Sequence, residues 1–350
     1  MPANTFGEVL RLTTFGESHG VALGGILDGV PAGLKILPSE IQAELDLRRP
    51  GFSPVTSARR EADQVEILAG IFANRTTGTP IAFLVRNQNT RSSDYAKLKK
   101  IFRPGHADFT YEQKFGYRDF RGGGRSSGRE TVARVIAGAI ASKLLGKIKV
   151  YAFAEEIAGI QAQKFQPKAI YLNPVRAADP SAAEKMTAQI LAAQKRGDSV
   201  GGVIGVKVQP VPVGLGEPVF DKIEAVISHA LLSIGAVKGI EFGEGFLSAL
   251  ATGKSFNDEF QSLTQKKTNH GGGALGGITD GSELKLRLAV KPTASITSEQ
   301  NTIDQQGKPR KIKISGRHDP CLVPRIVPVV AAMTKFVLAD FVLRKRLSRF

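Results

Sequence analysis

The chain has very little sulfur and no tryptophan: of its 350 residues one is Cys, three are Met and none is Trp. The lone Cys321 excludes an internal disulfide and is typical of a reducing compartment, so we expect a cytoplasmic protein. No apolar run reaches the ~18 uninterrupted residues that cross a bilayer, and Met1–Phe15 lacks the apolar core of a signal peptide. The best apolar stretch, Val132–Leu145, is interrupted by Arg134 and Lys143. We therefore expect no membrane partner.

Acidic residues are outnumbered as well, with 32 Asp and Glu against 48 Lys and Arg and a net charge of +16. Such a charge predicts anionic partners, which include nucleic acids and phosphorylated metabolites. Aromatic residues make up only 7% and no RNA-binding signature occurs, so we expect no nucleic acid. The chain has no C-x-x-C, H-E-x-x-H or acidic calcium loop, so we expect no metal site.

Hydrophobic periodicity predicts an α+β fold in one domain, residues 1–350. The predicted helices are Ser39–Arg48, Val132–Leu144, Ala183–Arg196, Phe220–Ser233 and Pro328–Leu343. The predicted strands are Val9–Thr13, Val21–Leu27, Val65–Leu68, Ile81–Val85 and Leu284–Val290. Capping boxes are expected at Ser39 with Gln42 and at Ser127 with Glu130. The polar region Asn87–Arg125 is expected to form ordered loops with one short helix.

Glycine is abundant, and its most informative cluster is Gly122–Gly124, which leads through Arg125, Ser126, Ser127 and Arg129 into a predicted helix. A helix N-terminus offers free N–H groups and a positive dipole end, and both suit a phosphate. Arginine forks add bidentate contacts. This loop therefore predicts an anion site, with a simple glycine turn before a capped helix as the alternative.

The turn Gly16–Gly20, with Ser18 and His19, fits the G-x-S-x-G pattern of serine hydrolases. That motif needs a helix after the nucleophile, whereas a strand is predicted here, which disfavours the hydrolase interpretation. His19 is as compatible with a structural role as with a catalytic one.

Three further segments place functional groups in turns: Arg103–Asp108 with His106, Arg317–Cys321 with Asp319, and Lys291–Ser295. Taken singly, each has a structural alternative. Asp319 could cap backbone N–H groups, and Cys321 is more typical of a small buried hydrophobe than of a nucleophile.

Taken together, these segments resemble the chorismate synthase family. The resemblance rests on GESHG at Gly16–Gly20, GGGRSSGRETVARVIA at Gly122–Ala137 and RHDPCLVPR at Arg317–Arg325. FRPGHAD at Phe102–Asp108, AVKGIE at Ala236–Glu241 and KPTAS at Lys291–Ser295 support it. The segments occur in the family's order along essentially the whole chain.

The resemblance implies a lyase that eliminates phosphate from 5-enolpyruvylshikimate 3-phosphate to give chorismate, the last common step of the shikimate pathway to the aromatic amino acids. It also implies a requirement for reduced FMN, with NADPH as a candidate reductant. The family's fold is a sandwich in which helices lie between two antiparallel sheets, and its assembly is a homotetramer. For the contacts of such an assembly, Leu231, Ile234 and the last helix are candidate apolar surfaces.

By the same resemblance, three residues would be catalytic. His19 would protonate the leaving phosphate, His106 would act beside the reduced flavin, and Asp319 would help to remove the C6 proton, with flavin N5 as a candidate relay. The substrate-binding residues would be Ser18, Arg48, Arg103, Arg129 and Arg317. The cofactor-binding residues would be Arg125, Ser126, Ser127, Gly235, Ala236, Gly276, Lys291, Pro292, Thr293, Ala294, Ser295 and Arg317.

The chain departs from the family pattern at four positions. Pro54 and Leu47 stand where arginine is common, which puts anion or NADPH contacts of that loop in question. Gly235 replaces a common asparagine, and this removes one side-chain contact to FMN. Ala331 replaces a frequent glutamate in the last helix.

Overall fold

A computed structural model describes residues 3–57, 61–88, 99–263, 265–314, 316 and 318–348. Within these residues the chain forms seven α-helices: α1 (Pro38–Arg48), α2 (Asp108–Phe115), α3 (Thr131–Ala141), α4 (Pro180–Lys195), α5 (Ile223–Leu232), α6 (Gly253–Phe256) and α7 (Val323–Lys345). The strands of the same residues are β1 (Thr5–Phe6), β2 (Arg11–Gly16), β3 (Ala22–Asp28), β4 (Val65–Ile67), β5 (Ile71–Phe72), β6 (Arg75–Thr76), β7 (Ile81–Arg86), β8 (Lys149–Ile157), β9 (Ile160–Gln161), β10 (Gly202–Gln209), β11 (Val237–Phe242), β12 (Phe260–Ser262), β13 (Gln265–Lys266), β14 (Ala274–Leu275), β15 (Ile278–Thr279), β16 (Leu284–Val290), β17 (Gln300–Ile303) and β18 (Pro309–Ile312).

Two five-stranded antiparallel sheets organise the molecule. The first sheet has the strand order β1-β2-β3-β7-β4, and the second has the order β11-β16-β10-β8-β9. In β16 the side chains of Leu284, Leu286 and Leu288 are buried while Lys285 is exposed. This alternation is expected of a strand with one face on the core.

The helices lie between the two sheets. Helix α3 packs on β2, β3 and β7 of the first sheet, α7 packs on β8 and β10 of the second, and the two helices pack against each other. Helix α1 contacts both α3 and α7, and α5 contacts α7 and β11. The predicted α+β sandwich, with helices between two antiparallel sheets, is therefore confirmed.

Helix α7 is long and apolar enough to span a membrane by composition alone, but 89% of its most apolar window is buried inside the fold. Its all-round apolar character is what a helix needs when it is covered by other elements on every side. Because Leu231, Ile234 and most of α7 are buried in the core, they are not available as surface, and their predicted part in subunit contacts is wrong.

The helix ends differ from the predictions in two ways. Helix α1 begins at Pro38, and Glu40 accepts a hydrogen bond from the Leu37 N–H at 2.9 Å, so the box expected at Ser39 is wrong. Ser127 accepts from the Arg129 N–H at 3.3 Å, but it caps a short 3₁₀ turn, and Glu130 bonds to Thr14 and Arg134 instead. Pro38 suits the first turn of α1, because an N–H group at this position would have no partner within the helix.

Helix α7 begins five residues before the predicted start at Pro328, which lies inside it. Asp340 of α7 accepts hydrogen bonds from the backbone N–H groups of Val9 and Leu10 at 2.9 and 2.7 Å. The segment that leads into β2 is thereby fixed to the last helix.

Close packing of α3 against α7 generates a first prediction. A Cβ atom added at Gly138 would lie 2.5 Å from the Ala332 Cβ. Gly138→Ala should therefore lower the free energy of unfolding by about 1–3 kcal/mol, measured by urea denaturation, because the helices must separate. The control is Gly253→Ala, also helical, where no described residue beyond the chain neighbours and the helix's own backbone comes within 4 Å of the added Cβ. Equal stability of the two variants would contradict this packing.

Candidate active site

A cavity of about 660 Å³ lies where ends of several helices meet between the sheets. It is lined by most of the residues that the sequence singled out, namely Ser18, His19, Arg48, Arg103, His106, Arg125, Ser126, Ser127, Arg129, Gly235, Ala236, Lys291, Pro292, Thr293, Ala294, Ser295 and Asp319. Gly276 is not among the lining residues and lies in the tight turn between β14 and β15. Arg317 lies outside the described residues.

Secondary structure explains how these side chains reach the cavity. On α1, Ile41, Leu45 and Arg48 follow one another at helical spacing, so the buried face of the helix ends in an arginine. The turn between β2 and β3 carries His19. The glycine loop precedes α3, and Asp319 precedes α7, so two helix N-termini, each with a positive dipole end, lie at the cavity.

Arg48 and Arg129 share one carboxylate. Arg48 Nη1 donates to Asp63 Oδ2 at 2.9 Å, and Arg129 Nη1 donates to Asp63 Oδ1. Burial alone would raise the pKa of Asp63, but the charges of Arg48 and Arg129 outweigh it and hold the pKa below its usual value. Burial lowers the pKa of Arg48, and Asp63 counteracts this. The carboxylate is what keeps the two guanidinium groups together.

A second carboxylate organises the loop before α2. Arg103 donates to both oxygens of Asp108, at 2.6 and 2.7 Å, in a bidentate pair. His106 Nδ1 lies 3.0 Å from Asp108 Oδ1 and 3.1 Å from Arg103 Nη2, so the pair contacts this nitrogen of the ring. Burial would raise the pKa of Asp108, but the hydrogen bonds from Arg103 and His106 hold it well below its usual value. These contacts hold the imidazole ring of His106 at the cavity.

Asp319 is held from two sides. Its Oδ1 accepts from the Ser57 N–H at 2.7 Å, and its Oδ2 accepts from Arg325 Nη1 at 2.6 Å. Thr293 donates to the Asp319 backbone carbonyl at 2.7 Å, which joins the Lys291–Ser295 segment to the start of α7. A carboxylate has about four lone-pair positions, so Asp319 retains acceptor capacity beyond these two partners.

His19 packs against the glycine loop. Its Nδ1 lies 3.1 Å from Ser18 Oγ. Gly122 has φ +116°, and a Cβ there would lie 2.3 Å from His19 Nδ1, so only glycine permits this approach. Because an antiparallel strand follows the turn, the nucleophile elbow does not form and the hydrolase alternative is excluded.

The remaining loop residues bond mainly within the protein. Arg125 Nη2 donates to Thr14 Oγ1 at 2.6 Å, and Ser126 donates to the Gly123 carbonyl at 2.6 Å. Lys291 Nζ donates to the Gly105 carbonyl at 2.7 Å, which ties the Arg103–Asp108 loop to the end of β16. These bonds fix the rim of the cavity.

The cavity lining contains two unlike sets of side chains, which we call its apolar wall and its cationic wall. One is apolar and comes from β1, β2 and α7, with Phe6, Leu12, Ile326, Val329 and Met333. The other is cationic, with Arg48, Arg103, Arg129, Arg134 and Arg325. Among the residues that the structure describes, the buried Nε atoms of Arg129 and Arg325 have no hydrogen-bond partner. Since buried donors are normally paired, they fit a bound anion.

Several site residues were missed by sequence reasoning. Arg325, Arg134 and His229 line the cavity, while Asp63 and Asp108 pair with arginines that do. Arg325 is the last residue of the RHDPCLVPR segment, so its position in the motif could have identified it, whereas no local pattern indicates Asp63.

The thiol of Cys321 is fully buried. Burial raises its pKa to about 12, which agrees with an inert thiol. Within the described residues there is no cluster of metal-ligating side chains.

Fold and cavity together define an α+β sandwich protein with a cationic ligand cavity at the junction of its helices. The same fold occurs in a solved structure described as "Crystal Structure of Chorismate Synthase", with a TM-score of 0.77 and 30% sequence identity over 97% of this chain and 93% of that one. The family model "Chorismate synthase" matches residues 10–343.

Curated relatives of the chain bear the same family name. A chorismate synthase of Nitratidesulfovibrio vulgaris (strain DP4) is 51% identical and covers 99% of this chain and 98% of that relative. One of Roseiflexus castenholzii is 49% identical, with 100% and 99% covered. The chain belongs to the chorismate synthase family.

The buried Asp108 generates a second prediction. Because its pKa is lowered on folding, its charged form stabilises the fold above the unfolded value of 3.8, and this contribution is lost as the pH falls below that value. Asp108→Asn should cost about 3 kcal/mol of unfolding free energy at pH 7. The difference from wild type should shrink in acid below 3.8. Urea denaturation over this pH range measures it, and a constant difference would contradict the ion pairing.

Proposed function

We propose that the protein catalyses the anti 1,4-elimination of phosphate from 5-enolpyruvylshikimate 3-phosphate to give chorismate, the last common step in aromatic amino acid biosynthesis. The substrate loses its phosphate and a proton from C6, and a new double bond forms, so the enzyme is a carbon–oxygen lyase that acts on a phosphate. The observation that carries the proposal is the two-walled cavity, in which the family's histidines and Asp319 lie beside buried arginines.

The cationic wall suits the substrate, which carries one phosphate and two carboxylates. We propose that Ser18, Arg48, Arg103 and Arg129 bind these anions, together with Arg317. Arg325 joins them because its buried Nε has no hydrogen-bond partner in the described part of the chain. Bidentate guanidinium contacts would fix the orientation of the substrate as well as its affinity.

His19 is the proposed acid that delivers a proton to the departing phosphate, and Asp319 the group that receives the C6 proton. The Ser57 N–H and Arg325 hold the Asp319 carboxylate in a fixed orientation. His106 lines the cavity, and the contacts of its Nδ1 with Asp108 and Arg103 orient the ring. Each role uses a group already positioned by a neighbour.

Reduced FMN is the proposed cofactor, and when bound it would lend electron density transiently to the substrate without net redox change. The apolar wall suits a planar ring system, and a loop that precedes a helix suits the cofactor phosphate. Arg125, Ser126, Ser127, Gly235, Ala236 and Lys291–Ser295 would hold it. Ala236 has φ +78°, a conformation rare outside glycine that is often retained at ligand sites.

We also propose a single catalytic domain over residues 1–350, a cytoplasmic location and a homotetramer. One continuous hydrophobic core joins both sheets, which supports the single domain. Exposed apolar side chains on residues 246–263, among them Phe246, Leu250 and Leu263, supply surface for subunit contacts. The RNA-binding alternative has only the positive net charge in its favour.

The third prediction is the reaction itself. When protein, substrate and FMN are mixed without oxygen and the flavin is then reduced, phosphate and chorismate should appear in equal amounts. Both are measured, the first colorimetrically and the second by its absorbance after chromatography. The same mixture with oxidised flavin is the control. No product with reduced FMN would overturn the proposed function.

Repeating the assay in air with NADPH as the sole reductant determines whether the protein reduces its own flavin.

The fourth prediction separates catalysis from cofactor binding. His106→Ala and Asp319→Asn should each lower kcat by about 10²–10⁴-fold, because each removes a positioned proton-transfer group. The FMN dissociation constant, measured by fluorescence quenching, should change far less. His270→Ala is the matched control, because His270 does not line the cavity. Normal turnover by either variant would show that its assigned role is wrong.

A further inference from the structure

Asp63 lies directly behind the cationic wall and does not itself line the cavity. Its side chain is 0% exposed, whereas both arginines that it contacts, Arg48 and Arg129, are lining residues. Asp63 therefore has no direct access to a bound molecule. Any influence that it has on a ligand must pass through these two guanidinium groups.

The two arginines come from distant parts of the chain, one from the end of α1 and one from the glycine loop before α3. Each carboxylate oxygen of Asp63 receives a different arginine. Two like charges side by side in a buried place repel strongly, and a carboxylate between them converts repulsion into attraction. Asp63 thus fixes the separation and the orientation of the pair.

Other contacts complete the geometry. Arg48 also donates to Thr131 Oγ1 at 3.1 Å and to the Gly128 carbonyl at 2.5 Å. Arg129 Nη2 donates to Asn87 Oδ1 at 2.9 Å, but its buried Nε has no hydrogen-bond partner within the described ranges. If Asp63 is changed, Arg129 keeps one of these protein bonds and Arg48 keeps two, so Arg129 is the less firmly held of the pair.

The backbone at Asp63 is held in an uncommon conformation, with φ +47°. The side-chain amide of Gln42 on α1 fixes it, donating to the Asp63 carbonyl at 3.3 Å and accepting from the Val65 N–H at 3.1 Å. Non-glycine residues with positive φ persist where the surrounding structure over-determines them, often at functional sites.

We infer that Asp63 is a positioning residue for the reaction, which sets Arg48 and Arg129 at the spacing that the substrate's anionic groups require. The inference rests on the proposed function. Removing the carboxylate should impair substrate binding, although it makes the site more positive, because Arg129 loses its place. A purely electrostatic role would have the opposite effect and tighten the binding of an anion.

The test compares three variants of the full chain. Asp63→Asn keeps the shape and removes the charge, so KM for 5-enolpyruvylshikimate 3-phosphate should rise about 10- to 100-fold with a smaller change in kcat. Asp63→Glu keeps the charge but moves the carboxylate by one methylene in a packed site, so KM should stay raised. Glu66→Gln, a neighbouring exposed carboxylate paired with Arg86, is the matched control for charge and should behave as wild type.

Unfolding curves and binding measurements complete the test. Wild-type KM in either Asp63 variant, together with lowered stability, would show a merely structural role and overturn the inference. So would tighter binding in Asp63→Asn or full recovery in Asp63→Glu. If Asp63→Asn does not fold, the KM of Asp63→Glu alone decides whether the inference holds.

Substrate binding to the flavin-free protein, measured by calorimetry, separates the two proposals. If wild type binds the substrate here but gives no product in the assay with reduced FMN, the proposed function is rejected. The affinities of the Asp63 variants for the substrate then still test the role of Asp63. Neither binding nor turnover in wild type would reject both proposals.

Discussion

Arginines can be held on the wall of a buried cavity only because carboxylates lie between them or behind them. Asp63 joins Arg48 to Arg129, Asp108 binds Arg103 through both oxygens, and Asp319 takes one donor from Arg325. Without these carboxylates the cations would repel one another in a poorly solvated place, which costs several kcal/mol for each ion. The orientation of His106 and the junction before α7 depend on the same carboxylates.

The sequence was most informative where its signal is local. Helix α3 repeats apolar residues at helical spacing, and β16 alternates cleanly, so both were predicted at nearly their true bounds. Strands β8, β10 and β11 were not predicted, although they form much of the second sheet. Consecutive buried residues in β10, Ile204 to Val206, show no alternation, and periodicity cannot distinguish such a run from a buried helix.

In the candidate site, too, the locally encoded features were predicted and those that depend on tertiary packing were not. Turns that contain glycine, histidine and arginine are recognisable along the chain, and the structure brings those of Gly16–Gly20, Gly122–Glu130 and Lys291–Ser295 to one cavity. Which carboxylate pairs with which arginine depends on tertiary packing. Asp63 lies 66 positions from Arg129, and no local pattern encodes that pairing. The capping box expected at Ser127 does not form because Glu130 bonds to Arg134 and to the distant Thr14 instead.

The hydrogen bonds from Val9 and Leu10 to Asp340 have a consequence for biosynthesis. Leu10 and Asp340 are 330 positions apart, so nearly the whole length must leave the ribosome before this contact can form. Until then the second sheet lacks the helix that packs on its strands β8 and β10, and α3 lacks the helix that packs against it. A nascent chain stalled before α7 therefore exposes strand surface and is the state in which chaperone binding or aggregation competes with folding.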